Sequence, residues 1–286
     1  MSELKVFYQE SGRLKISKTL DILKKVSLKD IIWIDLNDVD LAVESQLEQF
    51  LKIYIQEEEE IEEIEISSRY IQTEDTIVAN SNFLLDNYTQ DAVSFILKNN
   101  ILVSVRDQNL KSFTETTKKI YANVKNFPTG YHVLVALLET RVEFDADMIE
   151  DMTQQITALS NTLKTDDVDD NILIAIKDLQ EKTMMIRENI IDKQRVVSNM
   201  LKSELFPAEL KPKLTIIIKD INSLFEHTRF SFDRLDYLQD TFLGLVNIQQ
   251  NKIIKIFTVV SVIFMPPTLI ASLYGMNFRF MPELNW

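Results

Sequence analysis

The chain has 286 residues, no cysteine, two histidines, and 44 acidic against 31 basic side chains, for a net charge of −13. So acidic a chain is not a nucleic-acid binder, which needs a basic face, and without thiols it has no disulfide, thiolate zinc centre or cysteine nucleophile. Its four glycines form no phosphate loop of the G-x-G-x-x-G or Walker type, and no nucleophile–base pair or metal-ligand cluster is visible, so an enzyme is not expected.

The first residues, MSELKVFYQESGRLK, contain no apolar signal-peptide core. This predicts an N-terminal domain that stays in the cytosol. Residues 1–127 read as mixed α and β. Leu4–Gln9 and Ile31–Leu36 are short β-rich runs. Leu41–Ile55 has helical spacing at Leu41, Leu47, Phe50, Leu51 and Tyr54, with Asp38 or Asp40 as N-cap. The acidic run Glu57–Glu65 reads first as a solvated face and second as a cation collector. Strands are expected at Arg69–Thr73, Thr76–Leu85, Ala92–Leu97 and Ile101–Val105, with hairpin turns at Glu74-Asp75 and Asn99-Asn100. Strands so close in sequence predict a largely antiparallel or mixed sheet with helices on it.

From about Leu110 the pattern is helical, broken once by Pro128. Residues 128–207 read as two long helices. The first runs from Thr129-Gly130 to about Leu163, with its stripe on Leu134, Leu138, Val142, Met148, Met152, Ile156 and Leu159. After a turn at Lys164–Asp170, the second runs from about Val168 to Leu205, and the pair is expected to form an antiparallel hairpin. Phe206-Pro207 ends it. A third helix starts near Ala208 with Pro212 in its first turn, and meets no further breaker until Pro266-Pro267. About 60 residues at 1.5 Å each give a rod of roughly 90 Å. Residues 208–252 form its stalk. Residues 253–274 carry one charge, Lys255, and are apolar enough to cross a hydrocarbon core, which takes roughly 20 residues. Lys252 and Lys255 mark the cytosolic end by the positive-inside rule.

One face of this helix is small or polar. Asp240, Gly244, Asn247, Asn251, Ile254, Thr258, Ser261, Met265, Thr268 and Ser272 follow one another at steps of three and four. Two readings are open on periodicity: ordinary packing of membrane helices, which favours small residues, or the wall of a pore made by several identical helices. With the helix ends added, the motif Tyr274-Gly275-Met276-Asn277-Phe278 and then Met281-Pro282-Glu283-Leu284 resembles the CorA family of divalent-cation channels. The likeness is sharp at this motif; over the first two-thirds of the chain it lies in the order of elements.

The resemblance implies a homopentamer in the inner (plasma) membrane, in contact with lipid. Each chain has an α/β/α cytosolic domain, a helical hairpin and a stalk helix that becomes the first membrane helix. It implies a second membrane helix and a basic tail after the loop at residues 275–286. The sequence stops at Trp286 inside that loop, so a chain truncated before the second helix is expected. Gly275, Met276 and Asn277 are implied as the selectivity ring at the outer mouth, with Glu283 concentrating cations. The other stripe residues, from Asp240 to Ser272, are implied as pore lining, and Ile254, Phe257 and Met265 as the apolar gate. Mg2+ is implied as the carried and regulatory ion, Co2+ and Ni2+ as further ions, and no cofactor. Cytosolic divalent ions between subunits are implied to hold the channel shut. Candidate ligands are Asp220, Glu226, Asp233 and Asp236 on the stalk, with Glu74, Asp75 and Asp86 on the N-terminal domain. His227 reads as a packing or surface residue. Two other readings are a Zn2+ transporter of the related ZntB branch and a membrane-anchored helical scaffold without transport.

Overall fold

The computed structural model describes residues 3–56, 69–163, 171–276 and 281–285. The acidic run Glu57–Glu65, the turn Lys164–Asp170 and the motif residues Asn277 and Phe278 lie outside the described residues.

Seven strands, β1 (Glu3–Glu10), β2 (Arg13–Ser17), β3 (Ile31–Asn37), β4 (Tyr70–Gln72), β5 (Thr76–Leu84), β6 (Gln90–Lys98) and β7 (Ile101–Arg106), form one sheet in the order β2-β1-β3-β7-β6-β5-β4. Every pairing is antiparallel except β3 with β7, so the sheet is mixed. Asn99 and Asn100 both have positive φ, 51° and 67°. That is the geometry of a two-residue type I′ turn, whose twist matches the strands it joins. Ser11 and Gly12, at 51° and 73°, make the same turn between β1 and β2. The strand Arg13–Ser17 was not expected from the sequence; it is a five-residue edge strand whose two apolar residues, Leu14 and Ile16, are only partly buried against the core, so its signature is short and weak.

Five α-helices complete the described residues: α1 (Leu41–Leu51), α2 (Lys111–Ala122), α3 (Gly130–Thr162), α4 (Asn171–Lys202) and α5 (Lys211–Tyr274). Asp40, not Asp38, is the N-cap residue of α1. Helix α1 packs Leu47 and Leu51 with Val6, Ile34 and Leu36 on one face of the sheet. Phe7, Trp33 and Phe95 lie on the other face, against Phe113 of α2, and join the core of α2, α3, α4 and α5. The strand alternation thus serves two cores, one on each side. The third long helix begins at Lys211; residues Ala208–Leu210 form a separate 3-10 turn.

Two features hold the helical layer to the sheet. At the start of α3, Gly130 lies directly on the β3–β7 pair, its amide donating to the Asn100 carbonyl at 2.6 Å. Further along, a buried charged network joins α3, α4 and β5. Asp145 accepts from Arg141 Nε at 2.9 Å and faces Lys193 Nζ at 3.1 Å; Arg141 Nη1 donates to the Leu84 carbonyl at 2.6 Å. Asp192 accepts from Ser81 Oγ at 3.0 Å and the Asn82 amide at 3.1 Å, and pairs with Arg69 at 3.2 Å. The charged side chains of the Arg141–Asp145–Lys193 set are almost completely buried.

Asp91, at the start of β6, is 5% exposed. Burial pushes its carboxyl up to about 6, against the amide of Gln108 at 3.4 Å, which favours the charged form. The native chain therefore holds a proton between pH 3.8 and about 6 that the unfolded chain has released. Stability falls as pH rises through that window. Asp91→Asn is expected to raise stability by about 3 kcal/mol at pH 7.5 and to leave it unchanged near pH 3.5, since one pKa unit is worth about 1.4 kcal/mol. Thermal unfolding of both chains at the two pH values checks this.

Candidate ion pathway

Helix α5 is 64 residues long. At 1.5 Å per residue it spans about 96 Å. Its first half packs on the chain's own helices through Leu214, Ile217, Ile221, Thr228, Ser231, Leu235, Leu238 and Phe242, all buried. Polar bonds between helices fix the contact: Gln180 Nε2 to Asp236 at 3.0 Å from α4, and Arg234 Nη2 to Thr157 Oγ1 at 3.1 Å into α3. The buried positions recur at threes and fours, so they define one face.

The predicted stripe lies away from that face. The buried positions follow a seven-residue, two-turn repeat, about 103° per residue; on that period Asp240, Asn247 and Ile254 sit about 170° around the helix from the centre of the buried face, and Gly244 and Asn251 about 130°. All five are exposed. From Asp240 to Asn251 the side turned from the chain's body is therefore the small or polar one. Above Asn251, α5 leaves the rest of the chain, and Ile253, Phe257, Val260, Ile263 and Phe264 are all exposed. Among the described residues this is the one helix long and apolar enough to cross a membrane. A shallow groove along it is lined by Ile254, Phe257, Thr258, Ser261 and Met265. The predicted gate residues and stripe hydroxyls thus border one surface.

Two local details bear on what that surface can hold. Thr258 and Thr268 donate their hydroxyl hydrogens to the Ile254 and Phe264 carbonyls, at 2.8 and 2.7 Å. Each oxygen keeps its lone pairs free as an acceptor. Pro266 and Pro267 interrupt the ladder. They have no N–H, so the carbonyls of Val262 and Ile263 receive no intrahelical bond. In hydrocarbon such groups need water or a neighbouring helix.

At the upper end, Gly275 closes the helix with its amide on the Ala271 carbonyl at 2.9 Å, and Met276 donates to the Leu273 carbonyl at 3.3 Å. A Cβ on Gly275 would lie 3.1 Å from the Ala271 oxygen, so glycine lets the last turn close tightly. The helix ends here with its negative dipole pole, which attracts cations. Glu283 follows, exposed, in the 3-10 turn Pro282–Asn285. Asn277 lies outside the described residues.

The carboxylates expected to regulate are dispersed over the chain. Asp75 is held low by the Thr76 hydroxyl and then by Lys98, which pairs with it at 3.1 Å. Glu74 shares that turn, and Asp86 pairs with Lys111. On the stalk, Glu226 and Asp233 lie in the stripe's phase with Asp240, whereas Asp220 and Asp236 flank it. Among the described residues no group of three His, Cys, Asp or Glu side chains is placed to hold a metal. The buried Arg141–Asp145–Lys193 network was not foreseen; its i,i+4 half on α3 is visible in sequence, but Lys193 comes from a separate helix.

Comparison with known proteins places this arrangement. The sequence profile of the CorA-like Mg2+ transporter protein family matches residues 29–286. A protein named magnesium transport protein CorA from Wolinella succinogenes is 38% identical, over 99% of this chain and 91% of its own length. Its namesake from Salmonella typhimurium is 33% identical with the same coverage. The complete structure of the CorA magnesium transporter from Methanocaldococcus jannaschii superposes with a TM-score of 0.81 at 19% identity, covering 100% of this chain and 90% of that one. That likeness carries the fold, and the sequence matches carry descent: the chain belongs to the CorA-like Mg2+ transporter protein family.

Proposed function

We propose that this chain transports Mg2+ across the inner membrane as a homopentamer, with its α/β domain in the cytosol. The family is one of transporters rather than enzymes. The observation that carries the reading is the phase of α5: its polar stripe is turned away from the face packed on its own protomer and leads up to the Gly275–Asn277 motif. Copies arranged around an axis bring that stripe together as one wall.

The ion enters at the motif. Mg2+ dehydrates reluctantly, and a ring of Asn277 amide oxygens accepts hydrogen bonds from its water shell without stripping it. A neutral ring also releases the ion more readily than carboxylates would. Gly275 and Met276 shape the ring, while the helix ends and Glu283 gather cations. Below it, Thr268, Ser261 and Thr258 offer hydroxyl oxygens to the outward-pointing water hydrogens. Met265, Phe257 and Ile254 form the apolar narrowing, which gates by dewetting. Ser272 lies above, and Asn251, Asn247, Gly244 and Asp240 continue the wall into the cytosol. The membrane potential supplies about 4.6 kcal/mol per 100 mV for a divalent ion, twice the single-charge value. Co2+ and Ni2+ share the path. Cytosolic divalent ions close it by binding between subunits, with ligands drawn from Glu74, Asp75, Asp86, Asp220, Glu226, Asp233 and Asp236; their dispersal within one protomer supports a site completed by a neighbour.

The test is Mg2+ uptake into proteoliposomes carrying an inside-negative potential. Wild type takes up Mg2+, and Asn277→Ala lowers uptake at least tenfold. Equal uptake by the two overturns the role of the motif, and Zn2+ uptake in preference to Mg2+ overturns the ion assignment.

A further inference from the structure

We propose that Phe230 and Tyr237 form two aromatic collars that narrow the cytosolic part of the ion path, a constriction in series with that at Ile254. This rests on the pentameric pathway proposed above. The two side chains are large, 60% and 70% exposed, and seven residues apart. On the seven-residue repeat of the buried positions each lies about 130° around α5 from the centre of its buried face. That is the phase of Gly244 and Asn251, so an arrangement that turns the stripe toward an axis turns both rings toward it too. The occupant of this face is therefore the same face on other copies of this chain.

The residues between the rings decide against a dry contact. Glu226, Asp233 and Asp240 recur every seven residues on the same side, about 170° from the buried face. All three are exposed. Five copies of each around an axis are like charges, which repel unless water and cations lie between them. The face thus alternates wet carboxylate levels with apolar ring levels, one helical turn apart. An apolar level in a water-filled path is where dewetting sets in. Phe230 is also steadied from the flank, with Arg234 Cζ 6.0 Å from its ring centre while Arg234 bonds to Thr157. Among the described residues no cation lies over the ring of Tyr237, one turn below Asp240.

The absence of cysteine makes the test clean. In the full chain in proteoliposomes, Phe230→Cys, Tyr237→Cys and, as control on α3, Glu150→Cys are treated from the cytosolic side with a charged methanethiosulfonate. Mg2+ flux falls at least fivefold in the first two and is unchanged in the third. A bifunctional maleimide joins protomers through residue 237 and not through residue 150. Tyr237→Ser raises flux several-fold, and Tyr237→Phe restores the wild-type value. If wild type carries Mg2+ while Tyr237→Ser matches it and thiol modification has no effect, the collars are overturned and the pathway stands. If wild type carries no Mg2+, both fall.

Discussion

Replacing Asp145 by Ala is expected to cost about 3–5 kcal/mol, the range for breaking a buried ion pair from one side. The carboxylate sits between Arg141 Nε at 2.9 Å and Lys193 Nζ at 3.1 Å, with almost no exposure. Without it two cations remain out of water, next to each other. Burial already pushes the Lys193 ammonium down to about 8, and Asp145 works against that shift. A lowered lysine pKa means that the unfolded chain binds the proton between about pH 8 and 10.5 while the native chain has released it. Wild-type stability from this group therefore rises with pH across that window. Without Asp145 the Lys193 pKa falls further, so the Asp145→Ala deficit should be largest below that lowered pKa, where Lys193 is charged in both chains, and shrink as pH rises to about 8, above which wild-type Lys193 is neutral too. Lys193→Met combined with Asp145→Leu removes one of the two stranded cations, leaving Arg141 on the Leu84 carbonyl, and should recover part of the loss. Urea midpoints of the three chains at pH 7 and pH 10 check the order; a single variant as stable as wild type at pH 7 would sink the argument.

The second large effect is expected at Gly130. A Cβ there would lie 2.2 Å from the Leu102 amide nitrogen, 2.7 Å from the Ile101 carbonyl carbon and 2.9 Å from the Ile32 carbonyl oxygen. All three are backbone atoms of the sheet's central parallel pair or of its entry, so no side chain can swing away. Gly130→Ala must lift α3 off the sheet, at about 3 kcal/mol or more for overpacking without relief. That corresponds to a melting temperature lower by about 6–12 °C for a chain of this size. Gly12→Ala is the contrast: nothing lies within 4 Å of its added Cβ, and only the φ of 73° opposes it. It should cost about 1 kcal/mol. Equal shifts for the two variants would mean that the close approach at Gly130 is relieved by movement of the helix start.

Much of this was legible without coordinates. The three long helices, the hairpin between the first two and the run of α5 from stalk to span follow from apolar spacing and from where Pro128, Pro207 and Pro266 fall, because a helix period persists over many residues and few breakers interrupt it. The Asn99-Asn100 turn was legible because only a few residue types accept φ above zero without strain. Strand β2 was not, since its alternation is only Leu14 and Ile16 in five residues, too short a run to stand out. Nor was the parallel pairing of Ile31–Asn37 with Ile101–Arg106, whose partners lie about seventy residues apart.

The candidate pathway divides in the same way. Sequence alone determined that a polar stripe runs along α5 and that a Gly-Met-Asn motif follows it, because side-chain period and order along the chain are one-dimensional properties. It could not determine which way the stripe faces. That needed the buried positions from Leu214 to Phe242, since the direction of a helix face is defined only by what packs against the other side. The charged network around Asp145 and the fit of Gly130 on the sheet were likewise decided by tertiary structure alone: the groups involved come from separate elements, and their burial, which sets their energies, exists only once those elements meet.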